Sequence, residues 1–156
     1  MKLLVYSLLL LGLATLSARA RLGETEDQIV SRFGPPTDAP RFEDDLPGVT
    51  YKLFSKQNFN IYVGLLDGKS AYERYQTDGG VNDMLIRELL EIESEGHMWG
   101  RPRKWSDWNS GRVRDDGALA YSFESAFIAE TKQYADMESA HRRHMADDRK
   151  PRVDGF

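Results

Sequence analysis

The sequence predicts an α+β domain in which helices pack against one or more antiparallel meander sheets. Two observations support this class. Stretches with helical spacing of apolar residues alternate with stretches whose apolar residues recur at every second position. The strand-like stretches also follow one another through turns containing Asp-Gly, and strands joined by tight hairpins pair antiparallel.

The first helix is predicted to begin at Thr25. Its hydroxyl and the side chain of Gln28 form a capping box, and Ile29 and Phe33 give the helix an apolar side. Gly34 ends the helix, and the two prolines that follow prevent its continuation.

A meander of strands is expected next. Residues 37–48 are rich in proline and acidic side chains and are predicted to form an exposed connection. Apolar and polar residues alternate over residues 49–53 and 59–65, which is the period of a half-buried strand. Asp67-Gly68 predicts a type I′ hairpin turn, and residues 70–77 return as the partner strand.

The second half repeats this plan. A helix is predicted from Asn82, its N-cap, to about Ser94, and Gly96 closes it. Residues 112–114 and 118–123 then flank Asp115-Asp116-Gly117 as a second hairpin.

The chain is expected to finish with a strand and a helix. Residues 126–131 are predicted to add the strand, and residues 131–148 form the last helix. The order of elements suggests a helix-plus-hairpin pseudo-repeat that relates residues 23–77 to residues 82–131.

The N-terminus has the pattern of a secretory signal peptide. Lys2 precedes an apolar run of about 14 residues, and Ala18 and Ala20 are the small residues that a signal peptidase accepts, so Arg21 would begin the mature chain. An uncleaved anchor is the alternative, but a membrane span needs about 20 apolar residues. We therefore expect a signal peptide at 1–20, one domain at 21–150 and a flexible tail at 151–156.

Composition narrows the function further. The chain has no cysteine, which excludes a lipidated-cysteine anchor, disulfides and thiolate metal sites. Without the leader, which contains Lys2 and Arg19, 19 basic residues face 25 acidic residues, so the net charge becomes −6. This balance argues against a nucleic-acid partner. After cleavage no stable membrane span is expected, and the protein would be periplasmic or secreted.

One segment resembles a known family. Residues 23–30, GETEDQIV, and residues 33–36, FGPP, resemble the opening of the SmpA/OmlA-type outer-membrane assembly lipoproteins. The resemblance implies a helix followed by a meander, but the chain lacks the lipid-bearing cysteine, so the assembly role does not follow. The whole chain also looks like small exported bacterial proteins of uncharacterised function, with Gly68-Lys69, a tryptophan-rich middle and a terminal Gly155-Phe156.

Two histidines are weighed as metal ligands. His141 and His144 are three residues apart on the last helix, and Glu138 or Asp148 could join them. The alternative is simple packing, because both fall on the apolar side of that helix and His97 is distant in sequence. No metal and no cofactor is predicted.

The three tryptophans are the weak candidates for ligand binding. Trp99, Trp105 and Trp108 lie within ten residues among basic side chains, a combination that can hold sugar faces or acyl and peptide ligands. The alternative is that they are core anchors.

Catalysis is not favoured. Asp115-Asp116 is explained by turn propensity and residues 43–45 by a solvated loop, and no nucleophile elbow, phosphate loop or His-Glu-x-x-His motif is present. We expect a non-enzymatic domain that binds a protein or an envelope component through a sheet edge or its tryptophan-rich segment. A small-ligand or carbohydrate-binding module and a carboxylate-dependent hydrolase are the alternatives. The oligomeric state stays open.

Overall fold

The structure is a computed structural model, and it describes residues 21–39, 45–94, 96–105, 110–123 and 125–148. The leader with Ala18 and Ala20, the side chain of Trp108 and the tail at 151–156 lie outside these residues. Within them the helices are α1 (Glu26–Phe33), α2 (Asp83–Ile92) and α3 (Lys132–Asp148). The strands are β1 (Thr37–Asp38), β2 (Val49–Lys56), β3 (Phe59–Leu66), β4 (Lys69–Thr77), β5 (Arg103–Lys104), β6 (Ser110–Val113), β7 (Leu119–Phe123) and β8 (Ala126–Glu130).

The strands of the described residues form a single eight-stranded sheet. Their order is β1-β2-β3-β4-β8-β7-β6-β5, and all neighbouring pairs are antiparallel. The predicted α+β class with an antiparallel sheet is therefore confirmed. From each edge to the middle of the sheet, four strands follow in chain order, β1 to β4 on one side and β5 to β8 on the other. Each set of four follows one helix, α1 or α2, and the two sets meet where β4 pairs with β8. This arrangement matches the suspected pseudo-repeat in its order of elements.

Local chemistry explains where these elements begin and turn. The Thr25 hydroxyl accepts from the Gln28 amide while the Gln28 side chain accepts from the Thr25 amide, so the capping box is complete. The side chain of Asn82 caps α2 by accepting from the Leu85 amide at 3.0 Å. Asp67 and Gly68 both have positive φ, 52° and 74°, as a type I′ turn requires.

Residues 37–48 were expected to form an exposed connection, and the structure corrects this in part. Thr37 and Asp38 form the edge strand β1, which pairs with Leu53 and Lys52 of β2. Leu46 is buried. A two-residue strand is too short to show an alternating pattern, and β5 escaped prediction for the same reason.

The two faces of the sheet differ in what covers them. One face carries the main core beneath α1 and α2, with a buried cluster of Leu22, Ile29, Phe54, Ile61, Val63, Leu65, Tyr75, Leu89, Ala118, Ala120, Phe127 and Ala129. On the other face α3 places Tyr134 against Leu46 and Ala71, with Met137 beside them. The rest of that face forms the groove described next. None of the helices in the described ranges has the length and hydrophobicity of a membrane-spanning helix.

Candidate ligand-binding site

A groove of about 840 Å³ lies on the sheet face opposite α1 and α2. We call it the tyrosine groove. Seven aromatic side chains line it: Tyr51, Tyr62, Tyr72, Trp105, Tyr121, Phe123 and Tyr134. Five of the seven tyrosines in the chain therefore gather at one surface. A tyrosine ring offers an apolar face and a polar tip, so a surface of this composition suits a ligand that is apolar on one side and polar at its rim.

The alternation of the strands places these side chains together. On β4, Tyr75 faces the core while Arg74 faces the groove. Arg74 lies opposite Tyr62 of β3 and opposite Ile128 of β8, and Ile128 in turn lies opposite Tyr121 of β7. The floor of the groove is thus a row of side chains that crosses four strands.

Trp105 forms one end of the groove. Its side chain is 43% exposed, and its ring centroid lies 5.4 Å from that of Tyr121. A Cβ atom at Gly111 would lie only 2.5 Å from the Trp105 ring, so glycine at this position lets the indole rest directly on β6. The structure therefore places this predicted ligand-binding residue where a ligand can reach it.

Trp99 has a different environment. Its Nε1 donates to the Leu90 carbonyl at 2.8 Å, its ring lies 5.5 Å from the Arg114 guanidinium, and it packs against the main core. The structure brings Trp99 and Trp105 to different surroundings although they are six residues apart. From the sequence, the three tryptophans were considered as one group, because their spacing does not reveal which face of the sheet each one contacts.

Glu130 is a buried carboxylate in the floor of the tyrosine groove. It lies opposite Tyr72, is 3% exposed, and its Oε2 has no hydrogen-bond partner within the described residues. Burial raises the pKa of Glu130 to about 8, the nearby charge of Glu138 adds to the rise, and Arg142 opposes it. Nε of Arg74 is likewise buried without a partner. Neither residue was predicted from the sequence as part of a site.

Helix α3 forms one wall of the groove. The ring of Tyr134 stacks on that of Tyr72 with centroids 4.9 Å apart, and its hydroxyl lies 2.9 Å from the hydroxyl of Tyr51. Further along the helix, Arg142 donates to Glu138 at 2.8 Å, one turn apart. The wall is therefore held by ring stacking and by pairs of polar groups.

A second polar cluster lies within the main core. The Tyr75 hydroxyl lies 2.6 Å from Oε2 of Glu73 and 3.0 Å from Oε1 of Glu93, and Ser70 donates to Glu73 at 2.6 Å. Both glutamates are 0% exposed. Burial raises the pKa of each carboxyl, and the charge of Glu73 adds to the rise at Glu93. Both residues are fully buried and neither lines the tyrosine groove, so a ligand in that groove does not contact them.

His141 and His144, which were weighed as metal ligands, have different surroundings. His141 is half-buried and His144 is exposed, Glu138 is paired with Arg142, and the side chain of Asp148 is outside the described part of the chain. The structure adds no third ligand to this pair among the residues it describes.

A different histidine lies among carboxylates. Ligand atoms of His97, Asp115 and Asp116 lie within 4.8 Å of one another, and all three residues are exposed or close to it. Asp115 contacts His97 Nδ1 at 2.6 Å, while Arg114 donates through two nitrogens to Asp116 at 2.9 and 2.7 Å and lowers the pKa of Asp116 to about 2. Asp115 also accepts from the Met98 amide at 3.2 Å, so the cluster holds the Asp115-Asp116-Gly117 turn against the segment that follows α2.

No family model and no curated protein matches this chain. Among solved structures, a cysteine-rich secretory protein from Staphylococcus aureus is similar, with a TM-score of 0.42 and 13% sequence identity. The similar region covers 72% of this chain and 45% of that protein, so this chain spans less than half of the neighbour's length.

Proposed function

We propose that this protein is an exported, non-catalytic binding module that holds an extended ligand in the tyrosine groove. The observation that carries the proposal is a large open groove with an aromatic lining and, in its floor, the buried carboxyl of Glu130, whose Oε2 has no hydrogen-bond partner among the described residues. Its volume of about 840 Å³ falls within the roughly 300–1,000 Å³ that is usual for ligand pockets. Export rests on the leader pattern of the sequence.

The shape of the groove favours an elongated ligand. Its lining begins at Tyr51 on β2 and extends across the sheet to the end of β7 and to Trp105, which lies beyond β6. Neighbouring strands lie ~4.8 Å apart, so this span across the sheet is roughly 24 Å. Trp105 and Phe123 are exposed by 43% and 42%, and both belong to this surface.

The groove is a better candidate binding site than the edges of the sheet. The edge strands β1 and β5 are two residues long, so each offers few unpaired backbone groups to an added strand. The tryptophan-rich segment, the other surface considered from the sequence, contributes Trp105 to the groove.

Substitutions within the groove test this proposal. A panel of soluble oligosaccharides, short peptides and fatty acids is titrated against the protein, and binding is followed by calorimetry. We expect Trp105→Ala to weaken binding of any hit at least about tenfold, because the indole supplies a large part of the apolar contact. Met84→Ala is the matched control, since Met84 is 69% exposed on α2, the helix that packs on the opposite sheet face. A ligand bound equally well by both variants would contradict the groove assignment, as would a panel without any hit.

A further inference from the structure

Among the residues that the structure describes, two buried polar atoms in the floor of the tyrosine groove have no hydrogen-bond partner. Nε of Arg74 is a donor, Oε2 of Glu130 belongs to a carboxyl that both donates and accepts when protonated, and the two residues lie on the adjacent strands β4 and β8. A buried polar atom without a hydrogen bond costs about 1–3 kcal/mol. A ligand that satisfies both atoms therefore gains affinity at this point of the groove.

We infer that the ligand of the tyrosine groove is a saccharide chain whose hydroxyl groups complete the hydrogen bonds of Arg74 and Glu130. The inference rests on the proposed function and names its ligand class. A hydroxyl both donates and accepts, so the hydroxyls along a saccharide chain can serve both a guanidinium and a carboxyl. Gln76, which also lines the groove, has an amide that both donates and accepts.

The aromatic lining fits the other side of a sugar ring. The C–H groups of a pyranose form an apolar face, and the negative face of an aromatic ring attracts such weakly positive hydrogens. Trp105 and Tyr121 lie beside each other at one end of the groove, and Tyr72 lies opposite Glu130 further along it. Rings beside polar groups are thus arranged along the groove, as a chain of sugar units requires.

A basic peptide fits the groove less well. Arg74 places a positive charge in the floor, which repels a lysine or arginine side chain. Burial and the charge of Glu138 keep the Glu130 carboxyl protonated at neutral pH, so it offers little negative charge to a cation. A peptide backbone lying on this face would also leave most of its amide groups unpaired, because the floor offers side chains and no strand edge.

Two substitutions at Glu130 separate these ligands. The wild type and the variants are titrated by calorimetry with oligosaccharides of the cellulose, chitin and alginate types. An oligolysine peptide is titrated in the same way and represents the alternative ligand, a basic peptide. We expect at least one oligosaccharide to bind, and Glu130→Leu to raise its Kd at least about tenfold. Glu130→Gln replaces the carboxyl with an amide, which also donates and accepts, so the Kd of this variant should stay within about threefold of wild type. Met84→Ala is the control, and thermal unfolding verifies that each variant is folded.

The outcomes distinguish the inference from the proposed function. If oligolysine binds instead, more tightly as the pH rises through 8, and Glu130→Gln and Trp105→Ala both abolish its binding, the saccharide inference is overturned and the groove assignment stands. If an oligosaccharide binds the wild type and all groove variants equally, the groove assignment itself fails. If no oligosaccharide binds, the inference is overturned.

Discussion

Replacing Phe127 with alanine should lower the free energy of unfolding by about 4 kcal/mol, because a large buried ring leaves a cavity. Phe127 lies on the central strand β8, is 1% exposed, and its ring packs 6.1 Å from that of Tyr75. Domains of this size have a total stability of about 5–15 kcal/mol, so such a loss is a large share of it. Chemical denaturation with urea measures the effect.

Phe123 provides the matched control for this substitution. It is the same residue type on the neighbouring strand β7, but it is 42% exposed at the tyrosine groove. We expect Phe123→Ala to cost less than about 1 kcal/mol. Equal losses for the two variants would contradict the assignment of the sealed and open faces of the sheet.

Stability should fall as the pH rises above 5, owing to the buried carboxyls of Glu73 and Glu93. One phenol proton on Tyr75 cannot serve two carboxylates, so one of the two carboxyls keeps its own proton in the folded protein. Burial raises the pKa of both groups in the folded state. The folded state thus binds more protons than the unfolded state above pH 4.5, and the slope of stability against pH is negative.

Two other groups with shifted pKa values do not reverse the expected loss of stability above pH 5. The stability contributed by Asp116, whose pKa is lowered to about 2, is complete above about pH 4. Glu130, with its pKa raised to about 8, adds a loss of stability in the same direction as the pair. Each carboxyl that stays protonated only in the folded state contributes a slope of up to about 1.4 kcal/mol per pH unit.

Glu93→Gln removes one of these carboxyls without removing its bulk. We expect the variant to lose stability less steeply between pH 5 and 9 than the wild type, because an amide does not ionise. Glu91→Gln is the control, since Glu91 is an exposed residue of α2 two positions before Glu93, and this variant should leave the slope unchanged. Urea denaturation over this pH range measures the three slopes; a wild-type stability that rises with pH would refute the protonated pair.

Several parts of the fold could be predicted because their signals are local. The capping residues Thr25 and Asn82 and the turn residues Asp67-Gly68 act within a few positions, so the chain encodes them directly. The two-residue strands β1 and β5 have no periodicity to detect. Their position depends on the longer strands with which they pair.

The candidate site was predicted less well, for a physical reason. Glu73 and Glu93 are charged residue types that are normally exposed, and their burial follows from the packing of α2 on β4. Arg74 and Glu130 are more than 50 residues apart, and the antiparallel pairing of β4 with β8 brings them into one groove. Trp105 was predicted as a ligand-binding candidate, but its separation from Trp99 depends on the path of the chain between α2 and β6.

Quenching by iodide tests most directly that one sheet face is sealed and the other is open. Two variants are compared, one that retains only Trp105 and one that retains only Trp99, with phenylalanine at the remaining tryptophan positions. The fluorescence of Trp105 should be quenched readily, and that of Trp99 weakly, because Trp99 is half-buried and its Nε1 donates to Leu90. Trp105 emission that is blue-shifted and resistant to iodide would contradict an open tyrosine groove.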